Sequence, residues 1–197
     1  IKKGSEGDGF LKDWMNKFDI GDDYSIKSIE GLASQIKIND AGTWINLVDK
    51  GFGAGQIFTI ILKIALCIEN RITYEGITIS RHDFQRTTLI AIEEPEANLH
   101  PKFQSNLAEL FFNTFTKKYG IQFIIETHSE YILRKSQTLF NNNQESNPFG
   151  VYYFDKEGPY KLNYKKDGSF DKNFGEGFLD VVDDIALELF MKNNSGL

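Results

Sequence analysis

The stretch that decides the fold is Thr88-Leu89-Ile90-Ala91-Ile92-Glu93-Glu94-Pro95-Glu96-Ala97-Asn98-Leu99-His100-Pro101, "TLIAIEEPEANLHP". A short apolar run with the length and flanks of a buried strand ends abruptly in two adjacent carboxylates. Pro101 suits the first position of a helix, "PKFQSNLAELFFNTFTKKYG", closed by Lys117, Lys118 and Gly120. A second apolar run, "IQFIIET", follows, and "SEYILRKSQTLF" continues as another helix. This alternation predicts an α/β layered architecture with a partly parallel sheet. In such folds ligands bind beyond the carboxyl ends of the strands, where Glu93 and Glu94 stand. Neighbouring strand residues point to opposite faces, so the two acids can take different roles.

Upstream, "FLKDWMNKFDI" has helical spacing, while "YSIKSIEG" and "ASQIKIND" alternate as a hairpin around Glu30-Gly31. "TWINLVDK" reads as a further strand. "DKGFGAGQ" then sets Gly51, Gly53 and Gly55 before a buried helix starting near Gln56, "QIFTIILKIALCIENR". Glycines let backbone N–H groups approach a ligand, and a helix start favours anions. A flexible turn before a core helix satisfies the same pattern. "TYEGITISRHDFQRT" reads as an insertion turning at Gly76, and "NNNQESN" as a polar loop. "FGVYYFDKEGPYKLNYKKDG" reads as a hairpin turning at Glu157-Gly158-Pro159, and "GFLDVVDDIALELF" as an amphipathic helix.

With 197 residues, 41% hydrophobic and 25% charged, the chain suits one domain or a large piece of one. A net charge of −6 argues against a chain-wide nucleic-acid footprint, leaving at most a local patch at Lys161, Lys165 and Lys166. Cys67 is the only cysteine, which excludes an intramolecular disulfide and a cysteine-based zinc site, and its apolar helical setting makes it a core thiol. "IFTIILKIALCI" is short for a bilayer span and carries Lys63. With no secretory signal pattern, a cytoplasmic setting without a membrane is expected.

Thr127-His128-Ser129 follows the second buried strand, at the same sheet edge as the acidic pair in a parallel topology. A histidine there can hydrogen-bond a phosphate oxygen or water. Singly, each feature has a plainer reading: a strand ending in a solvated turn, a structural histidine, a glycine turn. In series they resemble the C-terminal half of an ABC-type ATPase head, in the branch of AAA family ATPases that contains the RecF, SMC and overcoming-lysogenisation-defect (OLD) proteins. "EEPEANLHP" resembles the Walker B and D-loop, "IIETHSEYIL" the switch-histidine segment, and "GFGAGQ" the signature segment LSxGxxQ. The likeness is firm from Leu47 to Leu133. "GVYYF" and "DGSFDKNFGEGFLD" are similar to the C-terminal extension of bacterial members.

The resemblance implies half of a P-loop-NTPase-like domain: a lead-in helix and strands over 1–48, the motif-bearing core over 49–140, and an extension over 141–197. It implies ATP and Mg²⁺ as cofactors, with Glu93 as the metal-side acid, Glu94 as the catalytic glutamate and His128 as the switch that senses the γ-phosphate. Gly51, Gly53, Gly55 and Gln56 would meet ATP in trans, across a homodimer whose heads sandwich the nucleotide. Asn98 and His100 belong to the D-loop, which crosses that interface. Three departures bear on the hydrolysis rate: Glu93 stands where aspartate is usual, Gly51 replaces the signature serine, and His100 replaces the common D-loop aspartate.

No G-x-x-x-x-G-K-[ST] phosphate loop occurs in the chain. With a start at Ile1, the expectation is that an N-terminal Walker-A half of the same protein completes the site, and that this piece alone is inactive. The expected role is an ATP-driven switch in DNA repair or phage defence, acting on DNA or an effector nuclease. The alternatives are a metal-dependent nuclease built on Glu93, Glu94 and Glu96, or a non-catalytic interaction module with relic motifs.

Overall fold

Ser5 opens the first helix, α1 (Glu6–Lys17), by accepting the Asp8 amide on its hydroxyl at 3.3 Å. α1 therefore begins four residues before the apolar spacing that predicted it, and buries Phe10, Leu11, Trp14 and Met15. The computed structural model describes residues 1–69, 73–74, 77–78, 88–117, 119–141, 148–175 and 177–194. They form a mixed α/β chain of two compact units, Ile1–Ser129 and Glu130–Leu197.

In the first unit, β1 (Asp23–Ile29), β2 (Ala33–Asp40) and β3 (Thr43–Asn46) make an antiparallel meander. The first turn falls at Glu30-Gly31 as expected, both with positive φ (50° and 72°). The expected strand "TWINLVDK" stops at Asn46, and Leu47–Lys50 tightens into a 3-10 turn. α2 (Phe52–Glu69) follows, then a two-residue ladder of β4 (Thr73–Tyr74) and β5 (Ile77–Thr78). The expected turn at Gly76 lies outside the described residues. β6 (Thr88–Glu93), α3 (Pro101–Thr116) and β7 (Ile121–Glu126) complete the unit. β6 and β7 pair in parallel, from Thr88 opposite Ile121 to Glu93 opposite Glu126, so both strands deliver their ends to one edge.

α2 is the one described helix long and apolar enough, by length and composition, to cross a bilayer. Its residues Ile57, Phe58, Ile61, Ile64, Ala65 and Ile68 are instead buried in the core. The crossing with α1 is close: a Cβ at Gly7 would meet the Ala65 carbonyl oxygen at 2.8 Å. α3 buries Leu107, Leu110 and Phe111, and the Phe111 ring lies 5.0 Å from that of Phe123 on β7. Among the described residues, the β6–β7 pair is covered on one face only. Ile90 and Ile121 are buried, whereas Leu89 and Ile124 are 57% and 59% exposed. Cys67 is free and half-buried rather than fully in the core.

Asp8 is the polar anchor of this unit. It is 3% exposed and accepts from the Tyr24 hydroxyl (2.9 Å) and the Gly4 amide (2.9 Å), with the Lys12 ammonium at 3.3 Å. Burial alone would raise its carboxyl, but the Gly4 amide, Tyr24 hydroxyl and Lys12 outweigh it and hold the pKa below the ordinary value.

The second unit comprises α4 (Glu130–Asn141), the hairpin β8 (Val151–Asp155) and β9 (Gly158–Leu162), and α5 (Val181–Asn194). Asp155 pairs with Gly158, so the turn is Lys156-Glu157, earlier than expected, and Gly158 and Pro159 open β9. Proline is tolerated there because the start of an edge strand need not donate to a ladder. Aromatic rings build this core: Phe140 stacks on Tyr164 at 4.7 Å, Tyr164 meets Phe170 at 4.8 Å, and Phe174 meets Tyr153 at 5.4 Å. Burial pushes the Tyr164 phenol up to about 12, against a hydrogen-bond contact with Ser136 that lowers it. The expected amphipathicity of the last helix is not realised. Ile185, Leu187, Leu189 and Phe190 are all exposed. The expected polar loop lies outside the described residues, apart from the backbone of Asn141.

Candidate functional site

Backbone chemistry past Glu93 shapes the site. Glu94 continues the sheet for one bond, its amide donating to the Glu126 carbonyl at 2.9 Å, but its φ is +44°. That left-handed residue breaks strand alternation and turns the chain into two successive turns, Ala97 N–H to Glu94 O (3.1 Å) and Leu99 N–H to Glu96 O (3.0 Å). Asn98 is left-handed as well (φ +60°). His100 then caps α3, its ring nitrogen accepting the Lys102 amide at 3.3 Å, and Pro101 takes the first helical position as expected.

The two expected catalytic residues come together. His128 Nε2 lies 3.8 Å from Glu94 Oε1, with both side chains largely exposed. This distance is within ion-pair range yet too long for a hydrogen bond, so each group keeps bonding capacity for a third partner such as water or a phosphate oxygen. Glu93 stands apart from this pair, on the strand face of Leu89 and Ala91. Its register partner is Glu126, also exposed, a carboxylate that motif reading passed over. Like charges on adjacent strands repel unless a cation or water intervenes. Mg²⁺ is commonly held by one or two carboxylates together with substrate phosphates, so Glu93 with Glu126 suits that ion. Among the described residues no group of three acidic, histidine or cysteine side chains could hold a metal. The expected alternative of a metal centre built on Glu93, Glu94 and Glu96 is therefore not assembled.

The glycine segment is more helical than expected. α2 starts at Phe52, so Gly53, Gly55 and Gln56 lie in its first turns and only Gly51 (φ +95°) precedes it. A Cβ at Gly51 or Gly55 would meet nothing within 4 Å, which leaves the helix start open to an anion on those sides. Gly53 faces inward: a Cβ there would meet the Asn98 carbonyl oxygen and Leu99 Cδ2, both at 2.9 Å. Gln56 also turns inward, its amide nitrogen donating to the carbonyls of Glu94 (3.1 Å) and Pro95 (3.3 Å). The segment "GFGAGQ" thus meets the 94–99 loop within its own chain.

Glu96, named above only in the metal-centre alternative, and Gln104, which the motifs passed over, tie the remaining loop in place. Glu96 is 8% exposed and accepts the His128 backbone amide at 2.5 Å. Gln104 on α3 donates to the Leu99 carbonyl at 2.9 Å and accepts from the Ser129 hydroxyl at 2.6 Å. Sequence offers a faint signal for Glu96, a third acid in "EEPE", and none for Gln104.

Parallel strands that end in an acid and a histidine, beside a glycine-marked helix start, are compatible with an ATPase-like fold. The family model described as "AAA ATPase domain" matches residues 6–133, and the chain belongs to that family. No curated protein matches it. Membership makes ATP binding and hydrolysis the general activity of the domain, typically with Mg²⁺.

Proposed function

We propose that this chain supplies the hydrolytic half of a dimeric ABC-type ATPase that works as an ATP-driven switch. The observation that carries the reading is the Glu94–His128 pair at 3.8 Å, at the shared edge of β6 and β7. In this mechanism Glu94 orients the attacking water toward the γ-phosphorus, and His128 hydrogen-bonds a γ-phosphate oxygen. Water adds as the bond to the leaving ADP oxygen breaks, giving ADP and phosphate. Mg²⁺, held on the Glu93 side, would neutralise charge on the phosphates. Gly51, Gly55 and the α2 start face the nucleotide of the partner head, while Asn98 and His100 flank the interface.

The β- and γ-phosphates need a cradle that the sequence lacks, and the open sheet supports a place for it. Parallel sheets are normally covered on both faces, yet Leu89 and Ile124 are exposed. The proposed occupant is the P-loop-bearing half of the same protein. By family resemblance the switch would serve DNA repair or phage defence, with DNA or an effector nuclease as the actuated partner.

The test is Glu94→Gln in a protein that carries both this chain and the P-loop half. Expected are retained ATP binding, hydrolysis reduced about 100-fold or more, and an ATP-dependent dimer on size-exclusion chromatography. Wild-type hydrolysis by the variant would refute the assignment. DNA cleavage that needs a divalent metal but no ATP, and is lost in Glu93→Ala, would favour the nuclease alternative.

A further inference from the structure

Glu96 is a buried carboxylate used on one side only. Its Oε1 accepts the His128 amide at 2.5 Å, while its Oε2 is enclosed and makes no hydrogen bond among the described residues. A half-satisfied buried carboxylate is costly, and a neutral or apolar side chain of similar size would fill the space at lower cost. Packing therefore does not account for a glutamate here.

Its location does. Glu96 lies two residues past Glu94 on a loop whose path is fixed by the Ala97–Glu94 and Leu99–Glu96 turns and by Gln56. The same loop thus carries Glu94 and grips the backbone of His128. We infer that Glu96 is a positioning residue: its carboxylate holds the His128 main chain at a set distance from Glu94, so that water and γ-phosphate are engaged together. A charge-assisted bond of this length is stronger than a neutral one. The second tie, Gln104 to Ser129, holds the following residue but leaves the His128 amide itself to Glu96. The consequence for turnover rests on the ATPase reading above; the contact itself does not.

The test has two arms and two variants. Glu96→Met keeps the volume and removes the acceptor, and Glu96→Gln keeps a neutral acceptor. In the first arm, the His128 amide is followed by NMR shift and hydrogen exchange in this chain. Wild type should show a downfield, protected amide proton. Glu96→Met should move it upfield and raise exchange about tenfold or more, and Glu96→Gln should fall between. The second arm measures ATP turnover in the protein completed with the P-loop half. Glu96→Met should lower kcat about 10- to 100-fold with KM within about twofold, and Glu96→Gln should restore most of it.

An unchanged His128 amide in Glu96→Met overturns the inference. So does a Glu96→Gln protein that restores the amide but not kcat. If Glu96→Met does not fold, Glu96→Gln decides alone, because a shift identical to wild type would exclude a charge-assisted bond. A wild-type protein without ATP turnover would sink the ATPase reading and leave the amide measurements to decide the positioning.

Discussion

Gly53 and Gly55 sit two residues apart in the first turns of α2, yet alanine at each should act in opposite directions. Alanine is favoured over glycine in a helix by about 0.8–1.0 kcal/mol, partly because glycine loses more backbone freedom on folding. At Gly55 a Cβ meets nothing within 4 Å, so Gly55→Ala should stabilise the chain by about 0.5–1 kcal/mol. At Gly53 the new methyl would lie 2.9 Å from both the Asn98 carbonyl oxygen and Leu99 Cδ2. Leu99 is 9% exposed and Asn98 already adopts a left-handed φ of +60°, so neither has slack. Overpacking of this kind costs about 1–3 kcal/mol. After the helical gain is subtracted, Gly53→Ala should destabilise by about 1 kcal/mol, giving a contrast of about 2 kcal/mol between the variants.

Urea unfolding followed by far-UV circular dichroism measures that contrast directly, provided the m-values agree. A Gly53→Ala protein as stable as Gly55→Ala would refute the close approach of α2 to the 94–99 loop. The outcome also bears on the role of the signature-like segment. A glycine needed only for nucleotide in trans would instead show the same helical gain in the free chain as Gly55→Ala.

Two further outcomes are expected. The Asp8 pKa is lower folded than unfolded, so its contribution is present above the ordinary carboxylate value and is lost as pH falls through the folded value. Asp8→Asn should cost about 1–3 kcal/mol at pH 7 and much less in acid; urea titrations that give the same loss at both pH values would contradict this. Leu89→Lys, on the open sheet face, should leave stability within about 0.5 kcal/mol but weaken association with the separately expressed P-loop half about tenfold or more, measured by calorimetry. Unaltered affinity would move that docking surface elsewhere.

Periodicity and end signals made much of the first unit legible. The parallel pair followed from two apolar runs separated by one Pro-started helix, and the Glu94–His128 meeting followed from their shared edge. Boundaries were less legible where tertiary contact overrides local preference. Three glycines argue against a helix, yet α2 begins at Phe52 because its apolar face is buried and Gly53 is needed against Asn98. "GFLDVVDDIALELF" looks two-faced as a sequence, but exposure is decided by which partner arrives, and Ile185, Leu187, Leu189 and Phe190 are exposed. Glu96 entered the sequence reading only as a third acid of a metal-centre alternative, because its burial depends on β7 delivering the His128 amide from 32 residues away.

Local strain connects these observations. Two non-glycine residues in one short loop, Glu94 and Asn98, adopt left-handed φ, at about 1–3 kcal/mol each where the surroundings enforce it. Here the enforcing groups can be named: Glu126 receives the Glu94 amide, Gln56 holds two carbonyls, and Gly53 leaves room for a third. An unstrained strand would have continued alternating and left Glu94 aimed opposite to Glu93 with no tie to the next loop. The left-handed turn places Glu94 beside His128 and leaves Glu93 on the open face with Glu126. The backbone at residue 94, one position beyond the strand, thus sets the Glu94–His128 meeting apart from the Glu93–Glu126 register pair.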